Sequence, residues 1–410
     1  MRSIRRRTLS SLVLSLCLLP AVARAAYFET SAPPRENDHY AAARYRLWIS
    51  PETTTVRGSI ILQHGCGEGA RRYGLDHAND LQWQELARRH QFALLGTELW
   101  NTEMCAQWYR VEDGSGDALL RALDQLAAET GHAELASVPW ALFGHSGGGY
   151  WCTGMLFRHP ERVLAAVIRS GGTAFLQWHP AVKKIPVLMA AGIDDRVDGQ
   201  EYTTALTIKS FRAYRRFDAP WVVAIDPKAD HGNANGRRFY IPFLDAMLSL
   251  RLPTAGNVPR IIDTSKGWQG NPDTGEIAPV GERARRSWAW FPDESLAQKW
   301  QEFVRTGTVI DRTPPPPPRG LRVVDPSGSQ PRLTWDSRID LESGLKGFRI
   351  YRDGALVGEV KGQRSNHGDA PEPANVAFGW LLSGTGRYSV SAVNHDDLES
   401  VQSDPCHFAP

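Results

Sequence analysis

The 410-residue chain predicts an α/β fold, a doubly wound and mostly parallel sheet, followed by a smaller C-terminal β-sandwich. Three observations predict it. Between residues 26 and 253, short runs that are apolar throughout alternate with longer amphipathic ones, the pattern of a parallel sheet covered on both faces. Five consecutive prolines, Pro314 to Pro318, then hold polyproline II and make a stiff spacer. Beyond residue 320 the hydrophobic period drops to two, in short strands at sandwich spacing.

The first 25 residues stand apart from this plan. Arg2, Arg5, Arg6 and Arg7 form a basic start, Leu12 to Leu19 an apolar stretch, and Ala23-Arg24-Ala25 a small-residue cleavage site. That is the layout of a secretory signal peptide over 1–25, and it predicts a secreted or periplasmic protein. The apolar stretch is too short for a transmembrane anchor. Without its five arginines, 42 basic residues face 45 acidic ones. A slightly negative mature chain gives no electrostatic basis for binding nucleic acid.

Within 26–253, Ser59 to Leu62, Phe92 to Leu95, Trp140 to Phe143, Ile185 to Ala191 and Trp221 to Ile225 read as buried strands. Leu81 to His90, Gly116 to Thr130, Tyr150 to Phe157 and Gln200 to Phe217 read as helices, and Tyr240 to Leu250 as a closing helix. The segment 254–312 is rich in Gly, Pro and Arg until Trp288-Ala289-Trp290-Phe291, then helical from about Asp293 to Arg305. It reads as an extension packed on the first domain. A linker at 313–319 leads into 320–410, where Leu321 to Val323, Arg332 to Trp335, Gly347 to Arg352, Ala355 to Val360 and Arg387 to Val393 read as strands.

The chemistry centres on Gly144-His145-Ser146-Gly147-Gly148-Gly149, placed between an apolar strand and a helix. A G-x-S-x-G run in that context makes a turn so tight that only small residues can flank the serine. It lifts the Ser146 hydroxyl clear of the sheet, at a helix N-terminus that favours negative charge. Serine is a poor nucleophile at neutral pH, so it needs a base, and the base an orienting acid. In doubly wound hydrolases these follow in the order Ser, Asp, His, each just after a strand. Asp195 follows the strand ending near Ala191, and His231 follows the strand ending near Ile225. Asp194 is the alternative acid; Asp198 and Asp230 are weaker ones. The oxyanion needs two backbone donors. Gly147 supplies one, and the loop His64-Gly65-Cys66-Gly67 the other, from Cys66 or else Gly67. His64 reads as a structural histidine of that loop, and His145 as a neighbour filling space.

Residues 59–235 resemble the α/β-hydrolase superfamily, and within it they are similar to secreted feruloyl esterases and polyhydroxybutyrate depolymerases. The carrying residues are His64-Gly65-Cys66, Cys105 with Trp108 behind it, Gly114-Ser115-Gly116-Asp117 opening a helix, and the Ser146 elbow. The resemblance implies a Cys66–Cys105 disulfide, leaving Cys152 as a buried free thiol and Cys406 unassigned. His-Ser-Gly-Gly-Gly departs from the Leu-Ser-Ala-Gly-Gly usual in those families, and 254–312 has no counterpart in them. The C-terminal segment resembles a fibronectin type III domain, through Trp335, Phe348-Arg349-Ile350-Tyr351 and a corner tyrosine at Tyr388.

Together these features predict a serine hydrolase that cleaves a small-molecule or polymeric carboxylic ester without cofactor or metal. Trp151, Trp288 and Trp290 are candidate pocket residues, although packing is the commoner role of tryptophan. A prolyl-oligopeptidase-type peptidase is the rival enzyme, ranked lower because only about 33 residues separate the leader from the first strand, with no room for a gating domain. A non-catalytic adhesion protein on a hydrolase scaffold is the rival of another class. The fibronectin-like segment reads first as a spacer or docking unit, with a polysaccharide or cell surface as the alternative contact.

Overall fold

Eight strands form the central sheet: β1 (Ala26–Ser31), β2 (Ala42–Ile49), β3 (Gly58–Gln63), β4 (Phe92–Trp100), β5 (Trp140–His145), β6 (Val163–Arg169), β7 (Val187–Gly192) and β8 (Trp221–Asp226). Their order is β1-β2-β4-β3-β5-β6-β7-β8. The coordinates are a computed structural model, which describes residues 26–102, 106–171, 178–196, 203–232, 235–281, 285–325, 330–363 and 378–409. The expected leader, 1–25, lies outside them.

β1 and β2 form an antiparallel hairpin, and β2 also runs antiparallel to β4. Every pairing from β4 through β8 is parallel. The apolar runs are explained by burial, since every residue of β3, β5, β6 and β7 is buried. β1, β2 and β6 go beyond the strands expected from the sequence. In β2 polar residues interrupt the apolar ones because several of its side chains are exposed or half-buried.

The helices match their expected positions closely, and their ends have identifiable causes. Asp80 caps Leu81–His90 by accepting from the amides of Gln82 and Trp83, and Gln91 ends it in a left-handed conformation. Ser115–Thr130 stops at Gly131, φ 76°. The closing helix, Arg237–Arg251, accommodates Pro242 one turn in. The expected helix start at Gln200 lies outside the described residues, which resume at Thr203.

The segment after residue 253 is more ordered than its composition suggests. β9 (Trp268–Gly270) pairs with β10 (Ile277–Pro279) and β11 (Ala289–Phe291) in a small antiparallel sheet. Three-residue strands are too short to show a period, which is why the sequence reads as irregular there. The helix Glu294–Thr306 follows, capped by Asp293 and closed by Gly307. It carries Trp300, fully buried, whose Nε1 donates to the Val223 carbonyl of β8 over 2.7 Å.

The C-terminal part holds two antiparallel sheets. β12 (Arg319–Val324), β13 (Arg332–Asp336) and β16 (Gly379–Leu381) form one, in the order β12-β13-β16. The second has the order β15-β14-β17-β18, from β14 (Gly347–Arg352), β15 (Ala355–Lys361), β17 (Gly386–Val393) and β18 (Cys406–Phe408). Leu333, Trp335, Phe348, Ile350, Tyr388 and Val390 share one core. The Tyr388 hydroxyl donates to the Gly384 carbonyl at 2.8 Å.

The chain leading into these sheets is tied down. Asn394, fully buried, donates through Nδ2 to Asp311, Asp340 and the Thr313 carbonyl. The C-terminal part also meets the Leu81–His90 helix through polar contacts, Leu81 N to Gln363 Oε1 at 2.8 Å and Gln82 Nε2 to the Leu341 carbonyl at 2.9 Å. Arg238 pairs with Asp396 at 2.6 Å.

Candidate active site

Because β3 and β5 to β8 run parallel, their C-terminal ends open onto one edge of the sheet. In open α/β sheets that edge is where sites form. The loops leaving it carry Cys66, Ser146, Asp195 and His231, and Arg169 ends β6 at the same edge.

Ser146 joins β5 to the helix Gly147–Arg158 and holds φ 54°, ψ −121°. A non-glycine residue with that positive φ is strained, and the strain belongs to a side chain held out on a sharp turn. Its hydroxyl makes no capping bond to the helix. The flanking glycines are required by close approach. A Cβ on Gly144 would lie 2.2 Å from the Gly148 carbonyl oxygen, and one on Gly148 would lie 2.3 Å from that of Gln63.

His231 follows β8, and its Nδ1 lies 2.7 Å from Asp195 Oδ1. Asp195 is fully buried while the neighbouring Asp194 is exposed. Burial alone would raise the Asp195 pKa. The bond from His231 and the charge of Arg169 outweigh it, and the carboxyl sits below its ordinary range. Arg169 Nη1 donates to Asp195 Oδ2 at 3.1 Å. The expected Asp198 lies outside the described residues.

His64 and His145 are both buried, with distinct bonding. His64 Nε2 accepts from the Leu99 amide at 2.9 Å, so Nδ1 carries the proton and donates to the Gly65 carbonyl at 2.6 Å. Burial pushes its pKa down to about 4. The neutral ring therefore pins the loop that carries Cys66 to β4. His145 does more than fill space. Its Nε2 lies 2.8 Å from the His231 carbonyl, and its ring centroid 4.8 Å from that of His231.

The two expected oxyanion donors are neighbours. A Cβ built on Gly147 would stand 3.4 Å from the Cys66 amide nitrogen and 2.3 Å from Cys66 Sγ. Trp108 covers the same point, with its ring edge 3.3 Å away. Cys152 and Cys406 are free thiols and Cys66 is not. Cys105 lies outside the described residues.

The three candidate pocket tryptophans are seated in packing. Trp151 is fully buried with Nε1 bonded to Ser115 Oγ at 3.2 Å. Trp290 is buried and donates to the Lys266 carbonyl at 2.8 Å, and Trp288 lies under the Arg285 guanidinium. Sequence reasoning missed Arg169 altogether. Its only signal was a charged residue closing an otherwise apolar run, Val163 to Ile168.

Among the described residues no cluster of His, Cys, Asp or Glu is arranged to hold a metal ion, and no helix is long and apolar enough to cross a membrane.

No protein-family model and no curated protein matches the chain. Solved structures do. The chain is similar to LpqC, a poly(3-hydroxybutyrate) depolymerase from Bordetella parapertussis, with 16% identity, TM-score 0.36, and 57% of this chain and 92% of that one covered. It is similar to a cold-adapted esterase from an Arctic intertidal metagenomic library, at 14% identity and TM-score 0.37 over 56% and 95% of the two chains. A ferulic acid esterase aligns at 10% identity and TM-score 0.38, over 51% of this chain and 91% of the other.

Proposed function

We propose that the chain is an exported serine hydrolase of carboxylic esters, with Ser146 as nucleophile, His231 as base and Asp195 as orienting acid. The observation that carries this reading is the 2.7 Å His231–Asp195 bond at the sheet edge that also presents the strained Ser146. In this reading Ser146 Oγ attacks the ester carbonyl while His231 Nε2 takes its proton. The backbone amides of Gly147 and Cys66 hold the oxyanion. The imidazolium, stabilised by Asp195, returns the proton to the departing alcohol. Water then attacks the acyl-enzyme by the reverse proton path and frees the acid.

Three further elements belong to the proposal. Cys66 and Cys105 form a disulfide anchoring the oxyanion loop, a reading supported by the disulfide-bonded state of Cys66. The N-terminal 25 residues act as an export signal. The C-terminal sheets form a fibronectin type III-like unit, supported by their three-plus-four strand pattern and the Tyr388–Gly384 bond.

A fluorophosphonate probe tests the core of this. Wild type should be labelled, and Ser146→Ala should not. Equal labelling of the two, or none of wild type, would overturn the reading. Hydrolysis of nitrophenyl esters of increasing chain length, beside feruloyl, acetyl-xylan and polyhydroxyalkanoate substrates, would then define the acyl group.

A further inference from the structure

Three consecutive backbone carbonyls around the proposed base are gripped by side chains from two adjacent strand ends. Arg169 closes β6 and His145 closes β5, and the two are register partners in the sheet. Arg169 Nη2 donates to the Asp230 carbonyl at 3.0 Å and also to the Gly232 carbonyl. His145 Nε2 lies 2.8 Å from the carbonyl between them, that of His231. Burial, the Arg169 charge and His231 all push the His145 pKa well down, so its ring is neutral and Nε2 is the donor. The same guanidinium reaches Asp195 through Nη1.

We propose that Arg169 is a positioning residue, fixing the acid and base segments in one register and moderating the charge that Asp195 presents to His231. The proposal rests on the serine-hydrolase reading. A loop of Asp-His-Gly between two well-packed elements has no hydrogen-bond ladder to fix it, yet the imidazole must hold its orientation closely for proton transfer. One planar donor fork, bound to Asp195 on one side and to the carbonyls before and after His231 on the other, supplies that constraint. Arg169 is only 1% exposed, so its bonds face little competition from water. A buried ion pair is weak evidence for a stability role, because desolvation offsets the attraction. The bonds to 230 and 232 need another purpose, and orientation of His231 provides it.

The ionisable groups facing this guanidinium are Asp195, His231, His145, Asp226 at the end of β8, and Tyr240 of the closing helix. Removing the cation leaves the Asp195 charge less balanced and takes a like charge away from protonated His231. Both effects favour the imidazolium, so the acid limb of kcat/KM must move to higher pH.

The test compares Arg169→Met and Arg169→Lys with wild type on a nitrophenyl ester, with melting curves and full pH profiles. For Arg169→Met we expect kcat to fall by about 10²-fold at unchanged KM, and the acid limb to rise by roughly half to one pH unit. Arg169→Lys keeps the charge but not the fork. It should leave the limb in place while kcat falls about tenfold. A folded Arg169→Met with wild-type kcat and an unmoved limb overturns the proposal and leaves the hydrolase reading standing. If Arg169→Met does not fold, wild-type kcat in Arg169→Lys overturns it instead. Wild type that neither hydrolyses esters nor takes the fluorophosphonate probe defeats the hydrolase reading itself.

Discussion

Gly148 and Gly149 are adjacent in the first turn of the helix after Ser146, yet alanine should be damaging at 148 and tolerated at 149. A Cβ at 148 would stand 2.3 Å from the Gln63 carbonyl oxygen and 2.5 Å from that of His64. Both are backbone atoms, so no side-chain rotation relieves the contact. Restoring a normal separation displaces the end of β3 or the elbow by roughly an ångström, and the end of β3 leads directly into the loop carrying Cys66. Overpacking of this kind costs about 1–3 kcal/mol, against about 1 kcal/mol gained from replacing glycine in a helix. A shift of about 1 Å at a positioning element costs on the order of 10²-fold in rate. At 149 the nearest atoms are the Arg169 carbonyl oxygen and Gly171 Cα, both at 3.2 Å, and Ile168 Cγ2 at 3.3 Å. Those require a yield of only a few tenths of an ångström, which the helix gain offsets. Urea unfolding and ester hydrolysis should therefore show Gly148→Ala destabilised by up to about 2 kcal/mol and some 10²-fold slower. Gly149→Ala should stay within about 1 kcal/mol and a few-fold of wild type. Equal activity in the two variants would refute the argument that the elbow is set by contact with β3.

His64→Phe keeps an aromatic ring but leaves the buried Leu99 amide unpaired, so it should destabilise by about 1–3 kcal/mol and lower kcat. Because burial already holds His64 neutral above about pH 4, the shape of the pH–rate profile between pH 5 and 9 should not change. A lost titration in that range would show His64 to be a working base. Trp300→Ala should cost about 3–5 kcal/mol, and calorimetry should still show the extension and the main sheet unfolding together. A separate early transition would mean that the extension is only loosely attached. Burial and the neighbouring Asp311 carboxyl push the Asp340 pKa up. The folded state therefore retains a proton that the unfolded chain releases, and stability falls as pH rises above the ordinary carboxylate range. Asp340→Asn should remove that loss, gaining on wild type in melting temperature as pH rises from 5 to 8. A constant difference across the range would exclude Asp340 as the source.

Complete burial makes part of the fold visible in the sequence, although the equally buried β6 was not among the strands expected. β3, β5 and β7 are buried at every residue and read directly as apolar runs. The extent of β4 was not legible, because beyond Leu95 it continues through Gly96, Thr97 and Glu98. The small sheet of β9 to β11 was illegible for a different reason. Its strands are three residues long, and what holds them is contact with Trp300 and β8 rather than their own pattern.

Ser146, Asp195 and His231, the proposed triad, could be nominated from sequence because strand-end positions leave a trace in chain order. The choice between Asp194 and Asp195, however, depended on which carboxylate faces inward, and only the structure separates a buried Asp195 from an exposed Asp194. Arg169 and His145 left no such trace, since their partners in the 230–232 loop are backbone carbonyls, which every residue possesses. A side chain that recognises carbonyls places no demand on the identity of residues 230 to 232 and cannot be matched to them by residue type. What it demands is geometry: two neighbouring strands ending in register, beside a loop brought back from β8. The grip on His231 therefore belongs to the sheet order rather than to any motif. It also explains why a charged residue can close β6 in the middle of a buried sheet, where its charge is matched by Asp195 and its Nη2 by the loop that carries His231.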